Sequence, residues 1–210
     1  MPDRTVHTSA TLLFRLRDPA DNESWSQFAD IYCPLLYDYC RRRGLAHPDR
    51  ADVVQEVMRS VSLAMRGFEY DPKKGAFKSW LYTALRNAIS DHFRKSARRP
   101  VTALDENSVQ RLEETPDESE FANWDRDYEV RLLSWAMEKV KPDFGEKAWR
   151  AFELTALRGL DPADAAKELG TTKNAVTMAK FRIVKRLRET TAGIDPEQWE
   201  QAMARKGTIS

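Results

Sequence analysis

The sequence predicts an all-α protein with two small helical domains joined by an acidic flexible linker. Apolar residues recur at helical spacing in both halves of the chain, and no stretch alternates persistently with a period of two. A middle segment without periodicity separates the halves. A chain of 210 residues, 41% hydrophobic and 32% charged, has room for one medium domain or two small ones.

Three helical stretches are predicted in the first half. The first covers residues 24–43; Pro34 should kink or break it, and Gly44 ends it. The second follows Asp49, which we expect to cap it. The third begins near Phe77 and reaches about residue 97, with a break expected near Asn87.

The middle segment is acidic. Residues 104–129 hold ten acidic residues against Arg111 and Arg126, whereas the flanking segments are basic, so the net charge of +1 hides a basic–acidic–basic order. Helices should resume at Trp124. The predicted divisions are an N-terminal extension (1–23), a helical domain (24–99), the linker (100–123), a second helical domain (124–190) and a tail (191–210).

Several classes of protein are disfavoured by composition. No run of about 18 apolar residues could span a membrane, and the N-terminus lacks a secretory apolar core, so we expect a cytoplasmic protein. Cys33 and Cys40 lie about two helical turns apart, too far for a disulfide, and should be buried thiols. With only three scattered histidines, we expect no metal site and no cofactor.

The segment "GLDPADAAKELGTTKNAV" has the pattern of a helix-turn-helix. Asp161 is placed to cap a helix with Pro162 at its first position. Gly170 supplies the left-handed residue after it, and Thr171 or Thr172 caps the next helix. In such motifs the second helix enters the DNA major groove. A purely structural helical hairpin is the alternative.

The second helix has an unusual outer face. Val176, Ala179, Ile183 and Leu187 fall on one side, as a buried stripe should. The opposite side mixes cations with apolar groups. Arg182 can pair with guanine, Phe181 and Met178 can contact thymine methyls, and Lys173, Lys185 and Arg188 can reach phosphates. Asn174 and Thr177 complete this face.

Two further patterns occur in the first half. The segment "FKSWLYTALRNAISDHFRKSARR" interleaves aromatic and basic residues, which suits stacking of unpaired bases, although the aromatics could simply pack inward. On the preceding helix, Asp52, Gln55, Glu56 and Arg59 lie opposite the valines, which by itself indicates only a solvated face.

The order "ADVVQEVMRSV", "GAFKSWLYTALRNAISDHFRK", acidic linker, "GLDPADAAKELGTTKNAVTMAKFRIVKRLRE" resembles the extracytoplasmic-function (ECF) group of bacterial RNA polymerase sigma factors. The resemblance covers roughly residues 24–99 and 128–189. It implies that the first domain is like sigma region two, which binds the polymerase clamp and the minus-ten element. The second would be like region four, which binds the polymerase flap and the minus-thirty-five element.

The resemblance also implies roles for individual residues. It assigns Asp52, Gln55 and Glu56 to the contact with core RNA polymerase. It places Asn87, with Trp80 and Arg86, around a pocket for a base flipped from the non-template strand, and Arg94 and Lys95 on the same minus-ten surface. The minus-thirty-five set is Lys173, Asn174, Thr177, Met178, Phe181, Arg182 and Lys185. The acidic linker would thread toward the active site and RNA exit channel.

The chain departs from the family pattern in two places. Thr83 and Ala84 stand where primary sigma factors carry a tandem tryptophan wedge, so strand opening should depend more on promoter match and base capture. Thr177, Met178 and Ala179 stand where many relatives are rich in arginine. The resemblance admits an anti-sigma factor as a further partner without naming one.

Two other classes compete with a dissociable initiation subunit. An autonomous helix-turn-helix regulator would bind operator DNA without polymerase, but it leaves the aromatic-basic block and the linker without a role. A nucleic-acid enzyme would need clustered metal-binding carboxylates or a nucleophile paired with a base, and the sequence shows neither. We therefore expect no enzymatic activity.

Overall fold

The computed structural model describes residues 10–67, 77–97 and 118–192. These residues form α-helices and no strand, which confirms the all-α prediction. The helices are α1 (Ala10–Arg15), α2 (Asn22–Arg42), α3 (His47–Met65), α4 (Phe77–Ala97), α5 (Glu118–Val140), α6 (Glu146–Phe152), α7 (Pro162–Glu168) and α8 (Lys173–Ala192).

The described chain divides into two compact units. One comprises residues 13–67, 77–97 and 118–128, and the other comprises residues 129–192 with residues 10–12. The boundary therefore lies inside α5, whose amino-terminal part belongs to the first unit. The functional domains predicted from sequence stay predictions, and their limits are not those of these units.

The first unit is built on α2, α3 and α4, which pack against one another. Asp21 begins α2 by accepting a hydrogen bond from the Ser24 N–H at 3.0 Å, and Gly44 follows the helix with a φ of 80°. Each helix buries one apolar stripe. Fully buried members of this core include Phe28, Ile31, Leu36, Val61, Leu81, Leu85 and Ile89.

The breaks considered at Pro34 and near Asn87 do not occur, and the cap of α3 is not at Asp49. Helix α2 continues through Pro34 and α4 continues through Asn87. A proline removes one intrahelical hydrogen bond, and the buried stripe on either side outweighs that loss. The N-cap of α3 is Ala46 rather than Asp49, because Pro48 already fits the first turn.

The second unit ends in the helix-turn-helix. Helix α5 passes into a 3₁₀ turn (Lys141–Asp143), and α6 is extended by a π-helical turn (Glu153–Leu157). Gly159, with a φ of 70°, reverses the chain before α7. A cluster of small and aliphatic residues joins α6, its extension, α7 and α8: Ala151, Leu154, Ala165, Ala166, Val176 and Ala179.

None of the helices in the described part of the chain combines the length and apolar character that crossing a bilayer requires. The same part of the chain contains no group of three or more histidine, cysteine, aspartate or glutamate side chains arranged to hold a metal ion.

Candidate nucleic-acid interface

Local capping fixes the helix-turn-helix. The carboxylate of Asp161 accepts a hydrogen bond from the Ala163 N–H at 2.7 Å, and Pro162 occupies the first position of α7. Gly170 has a φ of 56°, as predicted. Of the two threonines that could cap α8, Thr172 does so, because its hydroxyl accepts from the Ala175 N–H at 3.2 Å.

Helix α8 separates its two faces as the periodicity predicts. Val176, Ile183 and Leu187 are almost fully buried. On the opposite side, Phe181 exposes 62% of its surface and Met178 exposes 46%. Because Met178 and Phe181 are three residues apart in the helix, they are neighbours on this face and form an exposed apolar pair. All seven residues predicted for the minus-thirty-five surface are exposed: Lys173, Asn174, Thr177, Met178, Phe181, Arg182 and Lys185.

Not every side chain on this face is equally free to bind. The Thr177 hydroxyl donates a hydrogen bond to the Lys173 carbonyl at 3.0 Å, so toward a base it can only accept. Arg186 forms an ion pair with Asp143 at 3.0 Å. That pair ties α8 to the 3₁₀ turn after α5 within the second unit, and it leaves Arg182 and Lys185 as the exposed cations nearest Phe181 along the helix.

The outer face of α3 is polar and open. Asp52, Gln55 and Glu56 are all exposed, while Val57 and Val61 of the same helix are buried. Arg59 donates to the Glu56 carboxylate at 2.8 Å, and this hydrogen bond lowers the pKa of Glu56 below its ordinary value. The Glu56 carboxylate is therefore ionised at neutral pH, next to the arginine that it orients.

Helix α4 divides the predicted minus-ten residues. Trp80, Asn87 and Arg94 recur every seven residues, so they lie on one side of the helix, and all three are exposed, as is Lys95. Arg94 also pairs with Asp91 at 3.2 Å. The Trp80 ring lies 5.6 Å from that of Phe77, which holds the indole at the surface.

Arg86 lies on a different side of α4. It is half-buried, and its guanidinium lies over the Tyr82 ring at 6.0 Å. Adjacent residues in a helix are about 100° apart, so Arg86 does not share the face of Asn87 although it precedes it in sequence. The structure thus brings Trp80, Asn87 and Arg94 together and separates Arg86 from them.

Sequence reasoning missed what covers that second side of α4. Lys78 and Tyr82 are buried there by the start of α5, with the Trp124 and Tyr82 rings 5.5 Å apart. Glu118–Asn123 were expected in the linker, yet they are helical. The sequence does contain a signal for this contact, because Trp124 and Tyr128 are one helical turn apart. Both residues precede the apolar stripe that predicts the later part of the helix, so that stripe does not include them.

Sequence reasoning also named no residue for a flap contact. An open cleft of about 750 Å³ lies between the end of α5 and α6 in the second unit. Pro142, Phe144 and Trp149 form its apolar part, and Lys141 and Arg150 belong to its polar lining. The Trp149 indole donates to Glu153 at 2.9 Å, which fixes the ring in the cleft wall.

The two thiols are free, as the spacing predicts. Burial raises the pKa of the Cys40 thiol from 9.0 to about 12, and it raises the pKa of the half-buried Cys33 thiol as well. Such thiols are poor nucleophiles near neutral pH, so neither has the environment of a reactive cysteine.

Comparison with known proteins gives two matches. The family model for sigma-70 region 2 matches residues 28–99. The ECF RNA polymerase sigma factor BldN of Streptomyces coelicolor is 27% identical over 169 residues, which is 79% of this chain and 59% of that protein. The chain thus contains a sigma-70 region 2 domain and is similar to an ECF sigma factor over most of its length. The resemblance given by the motifs is thereby confirmed.

The matched region 2 begins within α2 and contains α3 and α4. The similarity to BldN is longer than residues 28–99, so it also includes residues outside region 2. The chain spans 59% of the length of that relative.

Proposed function

We propose that this protein is a dissociable subunit of bacterial RNA polymerase that directs promoter recognition, promoter melting and initiation. One observation carries the proposal: a region-2 domain and a helix-turn-helix with an exposed basic and apolar face occur in the same chain. A region-2 domain without a second DNA reader, or the reverse, would support a narrower role. The protein supplies recognition and no chemical step, so it is not an enzyme.

The contact with core polymerase is proposed for the outer face of α3. Asp52, Gln55 and Glu56 are exposed and make no inward packing contribution, so they are available to a partner. For the second unit, the cleft with Phe144 and Trp149 suits an apolar segment of the polymerase flap.

The contact with promoter DNA is proposed for two surfaces. The face of α8 around Phe181 and Arg182 would read the minus-thirty-five element in the major groove. The side of α4 with Trp80 and Asn87 would bind an unstacked minus-ten base, the ring stacking and the amide hydrogen-bonding. Arg94 and Lys95 would contact phosphates beside it. An anti-sigma factor is a further candidate partner.

In vitro transcription reconstituted from purified components tests the proposal. The chain, core polymerase and genomic templates are combined, and transcript starts are mapped with and without the chain. We expect starts that need the chain, and weak binding of the chain alone to the same promoters. Tight binding to duplex DNA in the absence of polymerase, with no new transcript starts, would instead support an autonomous helix-turn-helix regulator.

A further inference from the structure

The first part of α5 is seated on the region-2 helices by aromatic contacts. We call residues 118–128 the docking segment. Trp124 is 1% exposed, and its ring lies edge-on to Tyr39 of α2 at 5.7 Å. Phe121 contacts the Tyr82 ring of α4 at 5.5 Å. Tyr128 stacks on Tyr32 at 5.4 Å. The docking segment therefore covers both α2 and α4.

Three ion pairs accompany these rings, and all have the same polarity. The docking segment supplies the carboxylates and the region-2 helices supply the cations. The pairs are Glu120 with Arg43, Asp125 with Lys78 and Asp127 with Arg42. Glu120 also accepts a hydrogen bond from the Tyr39 hydroxyl, to which Arg43 donates. The negative charges of the docking segment therefore complement the positive charges of the region-2 helices.

Two features weaken this contact, although the Lys78–Asp125 and Arg43–Glu120 pairs are less exposed. Side chains of Arg42 and Asp127 are 45% and 35% exposed, so solvent and salt screen that pair. The Trp124 indole N–H is buried, and no hydrogen-bond acceptor reaches it among the described residues. A buried donor without an acceptor costs free energy, which release into water would recover.

In the proposed function, the docked position of this segment is incompatible with its position in the complex with polymerase. The resemblance to sigma factors implies that the acidic linker, predicted as residues 100–123, threads toward the polymerase active site and RNA exit channel. Glu120 and Phe121 cannot do so while they are helical and bound to Arg43 and Tyr82. We propose that the docking segment is an autoinhibitory latch, which occupies the region-2 helices in the free protein and must be released when core polymerase binds. This inference rests on the proposed function.

A latch of this kind weakens binding by a population effect. Only the released form binds productively, so the apparent affinity is the intrinsic affinity multiplied by the released fraction. Loosening the latch should then tighten binding to polymerase, which is the opposite of what damage to a structural element does. The experiment therefore measures whether the affinity for polymerase rises or falls when the latch is loosened.

The test is a charge-reversal cycle at Arg43 and Glu120. Arg43→Glu and Glu120→Arg each place like charges together, whereas the double variant restores an opposite pair. Arg41→Glu is the matched control, since Arg41 lies in the same last turn of α2, is exposed and makes no contact with the docking segment in the structure. Hydrogen exchange of the amides of residues 118–128 reports the latch, and equilibrium binding to core polymerase without DNA reports its consequence.

We expect faster exchange in both single variants and tighter core binding, by roughly 3- to 10-fold if the released fraction rises by that factor. The double variant and Arg41→Glu should match the wild type in both measurements. Arg43→Glu is the more informative single variant, because it leaves the acidic linker unchanged.

Three results would overturn the latch. One is faster exchange with unchanged or weaker core binding. Another is undiminished protection even when Arg42 and Arg43 are both reversed. The third is failure of the wild type and every variant to bind core, which would reject the proposed function along with the latch. Wild-type binding with either of the first two results rejects the latch alone.

Discussion

The carboxylate of Asp161 and the backbone N–H of Ala163 form a hydrogen bond of 2.7 Å at the start of α7. This cap fixes the first helix of the helix-turn-helix, and Gly170 and Thr172 then set the direction of α8. The outward angle of Phe181 thus depends on short-range hydrogen bonds as much as on the core.

We expect Asp161→Ala to destabilise the second unit by about 1 kcal/mol, the usual cost of losing a helix cap. Urea unfolding followed by circular dichroism measures it. Asp164→Ala is the control, because Asp164 is exposed and its structural partner is Lys167 on the helix surface. Equal losses in the two variants would mean that the Asp161 cap contributes nothing beyond surface charge.

Replacing Gln55 and Glu56 together by alanine should weaken binding to core polymerase without unfolding the protein. Both side chains are exposed, so surface truncation should change the free energy of unfolding by less than about 0.5 kcal/mol each. Pull-down with core measures binding and circular dichroism measures helicity. Asp38→Ala, an exposed change on α2, should leave binding intact. Unchanged pull-down of the Gln55/Glu56 variant would reject α3 as the core contact.

Asn87→Ala should slow open-complex formation and relax preference at one minus-ten position. Extruding a base from the stack costs a few kcal/mol, which contacts in the pocket must offset. Permanganate reactivity of unpaired thymines measures melting on a promoter series. Asp38→Ala, an exposed change on α2, is the control and should melt normally. Normal melting with unchanged preference in Asn87→Ala would remove Asn87 from this role.

Buried thiols give the fold a dependence on alkaline pH. Burial raises the pKa of Cys40 from 9.0 to about 12, so the folded protein favours the neutral thiol. Its contribution to stability is complete below pH 9 and is lost as pH rises toward 12. Thiol labelling at pH 8 should therefore modify Cys33 slowly and Cys40 only after unfolding. Rapid labelling of both in the folded protein would contradict this environment.

The sequence predicts α8 well and α5 poorly, for a physical reason. One side of α8 packs on small residues of α6 and α7, so burial follows a single helical period that can be counted. In α5 the buried side changes partner at Tyr128, where one unit ends and the other begins. Residues 118–123 have no apolar stripe of their own, and their helix is held by Tyr39 and Arg43 from distant sequence.

The position of Arg86 could not be predicted for the same reason, because which side of α4 is covered depends on contacts between distant parts of the sequence. The resemblance placed it with Asn87 around one pocket, but in the structure its guanidinium lies over Tyr82 on another side of α4. The roles of both residues toward DNA stay predictions. The sequence also allows an alternative to DNA contact, in which Phe181 packs under the C-terminal tail against Trp199; Trp199 lies outside the described part of the chain.

The face of α8 makes the sharpest promoter prediction. Arg182→Ala should lose about 1–3 kcal/mol at one base of the minus-thirty-five element and relax preference there, because a paired guanine edge is lost. Lys185→Ala should weaken all promoters alike, since a phosphate contact carries no sequence information. Binding of the polymerase complex to a library of minus-thirty-five sequences separates the two effects.

Phe181→Ala tests whether the exposed ring reads a base. With 62% of its surface exposed, Phe181 should cost little stability when truncated, whereas the buried Ile183→Ala should cost about 2–5 kcal/mol. The loss of a methyl contact should matter only on promoters that carry thymine at that step. A packed phenylalanine behaves in the opposite way. Its removal leaves a cavity and lowers the free energy of unfolding by about 3–5 kcal/mol, whichever promoter is used. A large fall in the free energy of unfolding with unchanged promoter preference would therefore mean that Phe181 packs against its own chain.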